Sequence, residues 1–330
     1  MSSQNSAVNP KRSPPGIDEV GHRLTVRFHD PEGGFRDVLG VLESETSIRK
    51  RDGSLIQFSP SEIAVWRVVA PPSNRAGTGS PLSLRIRDIE LAANATWPAK
   101  EQVRLGDWIL RASGKFTKRA NSVLAIGDPG VSQEDAIDKV MEFYHSRGLT
   151  PTFHIALPTY AELARCLKER NWRSDVSVNV MVADIDEVIL ATHSNDSRAK
   201  NVAEINDAPS EEWIALQNDH GVLEIMTRSP ARYAAFRSDG KIIGVARASN
   251  YAGWTVLTRL YVLPDERGKS LGRDLIYSLL LDARTLGASK AALQVDSKNL
   301  GAIALYEKMG FRLHHTYQYF AYAPEASTGC

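Results

Sequence analysis

Seven consecutive residues, Arg267-Gly268-Lys269-Ser270-Leu271-Gly272-Arg273, bring three cations and two glycines together. Such a loop can hold a phosphate or pyrophosphate. Glycine lets a ligand approach the backbone closely, the cations neutralise its charge, and a helix beginning here would turn unpaired N–H groups toward it. That task needs no metal, and none is expected. On the loop alone a second reading stands beside this one: a strand-to-helix turn with solvated basic residues. The spacing is neither the dinucleotide fingerprint nor the Walker loop.

The elements around the loop must position it. Thr258-Arg-Leu-Tyr-Val-Leu263 is an apolar run that reads as a strand. After the loop, Leu271, Leu275, Ile276, Leu279, Leu280 and Leu286 recur at helical spacing and give one buried stripe. A short strand, Ala291-Ala-Leu-Gln-Val295, leads through Asp296-Ser-Lys-Asn299 to a second helix beginning near Ala302 and ended by Gly310.

These blocks resemble the GNAT superfamily of N-acetyltransferases. That family carries Q/R-x-x-G-x-G/A after its fourth strand, then an asparagine, then an A-x-x-L-Y-x-x-x-G-F helix. Here the matching residues are Arg267-Gly-Lys-Ser270-Leu-Gly272, Asn299, and Ala302-Ile-Ala-Leu305-Tyr306-Glu-Lys-Met-Gly310-Phe311. The resemblance covers roughly residues 200 to 325, with one departure: Ser270 stands where the family has its middle glycine. It implies an acetyl-CoA cofactor whose pantetheine arm pairs with the backbone of Leu260, Tyr261 and Val262. The loop residues Arg267, Gly268, Lys269, Ser270, Leu271, Gly272 and Arg273, together with Asn299, would hold the rest of the cofactor. An acceptor amine, from a small molecule or a protein, would attack the thioester directly, with Tyr306 protonating the departing thiolate. The resemblance supplies no base. Gln294 and Thr258 cannot serve, Glu224, Asp296, His220 and His314 qualify by residue type alone, and a water-relayed proton path stands equally beside them.

The region before this one repeats its pattern. Ser132 with Asp135 reads as a capping box opening a helix that ends at Gly148; Thr152–Leu157 reads as a strand. Thr159 with Glu162 reads as a second capping box, opening a helix toward Asn171-Trp172, and Val176–Val182 as a strand. From Gly148 to Trp172 is 24 positions, and from Gly287 to Phe311 is again 24. The expectation is an internal repeat with an offset of 139 positions. At that offset the basic loop falls on Asp128-Pro-Gly-Val-Ser-Gln133, which has no cation, and Tyr306 falls on Leu167. The first half is thus expected to keep the fold and lack the chemistry, resembling the silent half of a tandem acetyltransferase that shapes the acceptor pocket. Arg111, Thr117, Arg119 and Asn121, around a hairpin, are candidates to line that pocket.

The fold class expected is α/β (α+β): a GNAT-type mixed sheet flanked by helices in two tandem halves, residues 82–190 and 191–330, the second catalytic. Short alternating strands with turns every eight to ten residues over 19–71 suggest a small antiparallel barrel, SH3-like by pattern. Residues 1–18 read as a polar disordered tail without a signal-peptide core, and 72–81 as a linker. The barrel reads as a packing or dimerisation module, which makes a homodimer possible, with peptide or RNA binding as its alternative; for the whole chain the alternative to an enzyme is a non-catalytic acyl-CoA-binding or protein-interaction module. The 330 residues are 42% hydrophobic and 24% charged with a net charge of +1, which gives no case for nucleic-acid binding. No apolar run is long enough to span a membrane. Two cysteines, Cys166 and Cys330, make no disulfide framework, and a reducing cytoplasm is expected.

Overall fold

The computed structural model describes residues 13–16, 19–31, 33–50, 54–69, 76–114, 117–194, 202–217 and 220–323. The chain divides into two units, residues 1–74 and 75–330.

The first unit is an antiparallel five-stranded sheet: β1 (Arg23–His29), β2 (Phe35–Ser44), β3 (Ser47–Arg49), β4 (Leu55–Gln57) and β5 (Ile63–Val68), in the order β4-β3-β2-β1-β5. Alternation along β1 puts Leu24, Val26 and Phe28 on one face, where they pack with Leu42, Ile48 and Trp66. Part of the expected tail is ordered: Pro15 is buried and the Trp66 indole donates to the Ser13 carbonyl. The rest of that tail, and Cys330, lie outside the described residues.

The second unit is built on one eleven-stranded sheet. Its first half contains α1 (Leu82–Thr96), β6 (Glu101–Leu105), β7 (Trp108–Ala112), β8 (Val123–Leu124), α2 (Gln133–His145), β9 (Thr152–Leu157), α3 (Ala161–Glu169) and β10 (Trp172–Asp184). α4 (Ile185–Ser194) links this to β11 (Glu204–Asn206), α5 (Glu211–Gln217), α6 (Leu223–Met226), β12 (Arg232–Ser238), β13 (Lys241–Tyr251) and β14 (Trp254–Val262). α7 (Leu271–Thr285), β15 (Lys290–Asp296), α8 (Leu300–Lys308) and β16 (Arg312–Tyr322) complete it. The 139-position offset carries α3 onto residues 300–308, the bounds of α8.

The strand order is β11-β12-β13-β14-β15-β10-β16-β9-β8-β7-β6. The last strand of each half has crossed to the other: β10 lies between β15 and β16, and β16 between β10 and β9. Outward from the β10–β16 seam the two directions match. An antiparallel neighbour comes first (β15 or β9), then a parallel one (β14 or β8). The halves are therefore related by a pseudo-twofold axis and share one sheet. α7 packs its apolar stripe (Leu275, Ile276, Leu279, Leu280) into the larger core with Ala246, Leu257 and Leu293, each such side chain contributing roughly 2 kcal/mol of burial.

Two expected boundaries differ. Residues 76–77, assigned to the linker, belong to the second unit: Ala76 is fully buried, its N–H donates to the Asp184 carboxylate at 2.7 Å, and Arg312 donates to its carbonyl. Residues 72–75 of that linker lie outside the described residues. Thr159 caps nothing: α3 starts from Tyr160, and Glu162 instead pairs with Arg165 at 2.8 Å. Ser132 does cap α2, accepting the Asp135 N–H at 3.1 Å.

Candidate active site

β14 is where the sheet opens. It pairs in parallel with β15 only from Trp254–Lys290 to Leu257–Leu293. Beyond Leu257 the two strands part. At the same place its register with β13 steps from Arg247–Thr258 to Val245–Tyr261, so that two residues of β14 face one of β13. This bulge puts Arg259 at φ 59°, a left-handed conformation that a non-glycine side chain pays for only where surrounding structure enforces it. The Gln217 side chain supports the bulge by donating to the Arg259 carbonyl at 3.1 Å.

On one side of the fork lies a cleft of about 960 Å³. The sequence-predicted residues Leu260, Tyr261, Val262, Arg267, Gly268, Ser270, Leu271, Gly272, Arg273 and Asn299 all line it. α7 begins in this cleft with Ser270 at its N-cap and without a side-chain cap. The first backbone donors of a fifteen-residue helix thus face the opening with no capping side chain. Ser270 itself sits at φ 66° and Gly268 at φ 78°, conformations natural to glycine, which explains why glycine suits position 270. At Gly272 a Cβ would stand 3.3 Å from Leu305 and 3.8 Å from Leu260, so the absent side chain lets α7 approach both the strand and α8.

The cations are arranged differently from one another. Arg267 donates to the Val262 carbonyl at 3.1 Å; Arg273 is held by the buried Asp274 at 2.9 Å. Lys269 pairs with Glu266 at 2.9 Å and is not among the lining residues, whereas Lys308 of α8, which the sequence did not single out, is. Asn299 caps α8 by accepting the Ala302 N–H at 3.1 Å. Ala191 and Thr192 of α4, also not anticipated, close another wall. Tyr306 stands on α8 between lining residues Leu305 and Met309, partly buried in the core beside Phe311 at 6.0 Å. It does not itself line the cleft. Burial pushes its hydroxyl up to about 12.

On the other side of the fork is a second cavity, about 320 Å³, with walls from both halves. The first half supplies Trp97, Thr117, Lys118, Arg119 and Val178; β14, β15 and β16 supply Leu257, Thr258, Arg259, Gln294, Asp296, Tyr317 and Tyr319. Of the four hairpin residues expected near a pocket, Thr117 and Arg119 line it. Arg111 is buried instead, donating to the Ser122 carbonyl (2.8 Å) and hydroxyl (2.9 Å), and Asn121 accepts the Ser113 N–H at 2.7 Å.

With a cleft at a helix N-terminus, a forked parallel strand pair and a second cavity across the fork, comparison with known proteins is decisive. A family model described as "Probable histone acetyltransferase Rv0428c C-terminal" matches residues 84–320. The chain belongs to this family of GNAT acetyltransferases. The acetyltransferase is 30% identical over 237 residues to "Uncharacterized N-acetyltransferase YobR" of Bacillus subtilis, covering 68% of this chain and 94% of that protein. It is 27% identical over 327 residues to "Probable histone acetyltransferase Rv0428c" of Mycobacterium tuberculosis, covering 94% of this chain and 97% of that one. A solved "GCN5-related N-acetyltransferase from Kribbella flavida" shares the fold with a TM-score of 0.55 at 15% identity, over 73% of this chain and 96% of that one.

Within the acetyltransferase, the residues that qualified as base by type alone now separate. Glu224 is exposed and pairs with Lys100 at 3.3 Å, lining neither cavity. His314 lies against His315, 2.8 Å between ring nitrogens, where burial first and the neighbouring charges second push it down to about 4. The His220 side chain is outside what the structure describes. Asp296 lines the second cavity and is its one carboxylate among the lining residues. Behind that cavity the Tyr317 ring stacks on His154 at 3.8 Å, and Tyr317 donates to the Gln294 side chain at 3.3 Å. His154 and His315 both face the buried Glu90 of α1, at 3.3 and 2.9 Å. This polar cluster joins α1 to β9 and β16 and fixes the rear wall.

Proposed function

We propose that the chain binds acetyl-CoA in the 960 Å³ cleft and acetylates an amine held in the smaller cavity across the fork. The observation that carries this reading is the uncapped N-terminus of α7 opening into the cleft exactly beside the strand pair that separates at Leu257. Bound acetyl-CoA supplies the activated thioester. The α7 backbone donors, with Arg267, Arg273 and Lys308, hold its phosphates, and the free strand edge at Leu260–Val262 orients its arm. Asp296, from the acceptor side, takes the proton as the amine nitrogen forms its bond to the acetyl carbon and the carbon–sulfur bond breaks.

Tyr306 is assigned a narrower role than full proton donor. Burial pushes this phenol up to about 12, above the ordinary thiol range, so complete proton transfer to the thiolate is unfavourable. Tyr306 therefore contributes a hydrogen bond to the developing thiolate. The test is Tyr306→Phe: kcat is expected to fall about 10- to 100-fold with acetyl-CoA affinity unchanged, measured by thiol release and calorimetry. Unchanged kcat removes Tyr306 from the reaction. Failure of the wild type to bind millimolar acetyl-CoA defeats the cofactor assignment.

A further inference from the structure

We propose that the acceptor is a small amine bearing a carboxylate, of amino-acid type, and that the second cavity recognises the carboxylate. This rests on the reading of that cavity as the acceptor site. Three of the side chains lining it are cationic (Lys118, Arg119, Arg259) against one carboxylate, Asp296. Two more donors are in place. The Trp97 indole N–H and the Gln294 amide nitrogen are buried and find no hydrogen-bond partner among the described residues, and Trp97 is 4% exposed. A buried donor left unpaired costs free energy, and a ligand with acceptor oxygens removes that cost.

Behind Trp97 lies a further charge. Arg247 is fully buried, 5.4 Å from the Trp97 ring, and Arg119 is 5.8 Å from that ring. The hydrogen bonds of Arg247 run to the Thr96 and Met226 carbonyls and to the Ser229 and Thr258 hydroxyls, none to a carboxylate. A buried cation with no counter-ion among the described residues is costly, and Thr258, which it contacts at 3.4 Å, is itself a lining residue. An anion in the cavity supplies the missing charge. A lysine-rich tail or a polyamine would bring further positive charge to this wall. The single carboxylate then has one task left, the ammonium of the acceptor, so the cavity is complementary to a zwitterion of limited size.

The experiment compares a panel of L-amino acids with their α-amides, spermidine and a lysine-rich peptide, following thiol release from acetyl-CoA. At least one amino acid is expected to exceed its own amide about 50-fold or more in kcat/KM. In Arg119→Gln that acid's KM should rise about tenfold, with the KM for acetyl-CoA unmoved and the amide unaffected. Preference for an amide, spermidine or the peptide overturns the proposal, as does turnover of no amine by a chain that binds acetyl-CoA. The same acids and amides are titrated calorimetrically into the chain alone. Binding of an acid and not its amide sustains the proposal even if acetyl-CoA fails to bind, a result that would sink only the cofactor assignment.

Discussion

The loops before α2 and α7 occupy matching places in a repeated frame, and they end in opposite states. Before α7, the N-cap Ser270 gives no side-chain bond and the loop is basic. Before α2, each feature is reversed. Ser132 caps the helix; the Asp107 carboxylate accepts the Asp128 N–H at 3.1 Å; Asp128 accepts the Gly130 N–H at 2.8 Å. The Tyr160 hydroxyl, at the position that the offset matches to Asn299, accepts the Gly127 N–H at 2.7 Å. The first half has thus satisfied its own backbone donors and filled the space with a ring. The start of α7 is left without a capping side chain, the condition a phosphate site requires, whereas at α2 the same frame has its donors satisfied and forms a wall.

The sharpest way to break the comparison is a matched pair of substitutions. Gly272→Glu places a carboxylate where phosphates are to sit and crowds Leu305, so acetyl-CoA affinity should fall about 100-fold or more. Gln133→Glu, the same change at the equivalent position of α2, should leave that affinity as it is. Calorimetry on both variants decides, and equal losses would mean that the halves share the cofactor. Next in size, Tyr160→Asn should cost the protein about 2–4 kcal/mol in urea unfolding, from the lost ring and the orphaned Gly127 N–H. It should create no second acetyl-CoA site, since that loop has no cation.

A third prediction probes the seam. Burial lowers both His154 and His314, the latter to about 4. Between that value and the ordinary histidine range near 6.5, the unfolded chain binds protons that the folded chain does not. Stability should therefore fall as pH drops from about 6.5 to 4. Melting temperatures across that window should decline less steeply in His314→Asn; a slope equal to wild type would remove His314 as a source. The smallest effect is expected from Ser270→Gly: relieving a left-handed serine should offset the added chain entropy and raise stability by up to about 1 kcal/mol.

That most of the sequence-predicted residues line one cleft was legible because their signals are local. Glycine at a left-handed turn, a cationic loop and 3.6-residue periodicity in α7 all lie within some twenty residues. The offset of 139 was legible because α3 and α8 keep their glycine-to-aromatic spacing. The exchange of β10 and β16 was not, because pairing between distant strands leaves no mark on either one's own pattern. α1 escaped notice for another reason: its buried face includes Glu90, Asn94 and Thr96, so the polar cluster it serves erases the apolar stripe. That Asp296 lines the second cavity and Glu224 and His314 do not was not legible, because it depends on how the strands fork, and the bulge that makes the fork centres on an arginine in a conformation no propensity favours for it.

The crossing of the terminal strands also constrains how the chain is made. During synthesis from the N-terminus, β9 and β10 emerge long before β16, which pairs with both and is the last strand among the described residues. Until residue 322 leaves the ribosome, the first half carries two open edges of a sheet, the kind of surface that invites association with other chains. Its folding must therefore wait for the second, and a stop codon placed just before Arg312 should abolish both halves together, including the one whose own sequence is already complete.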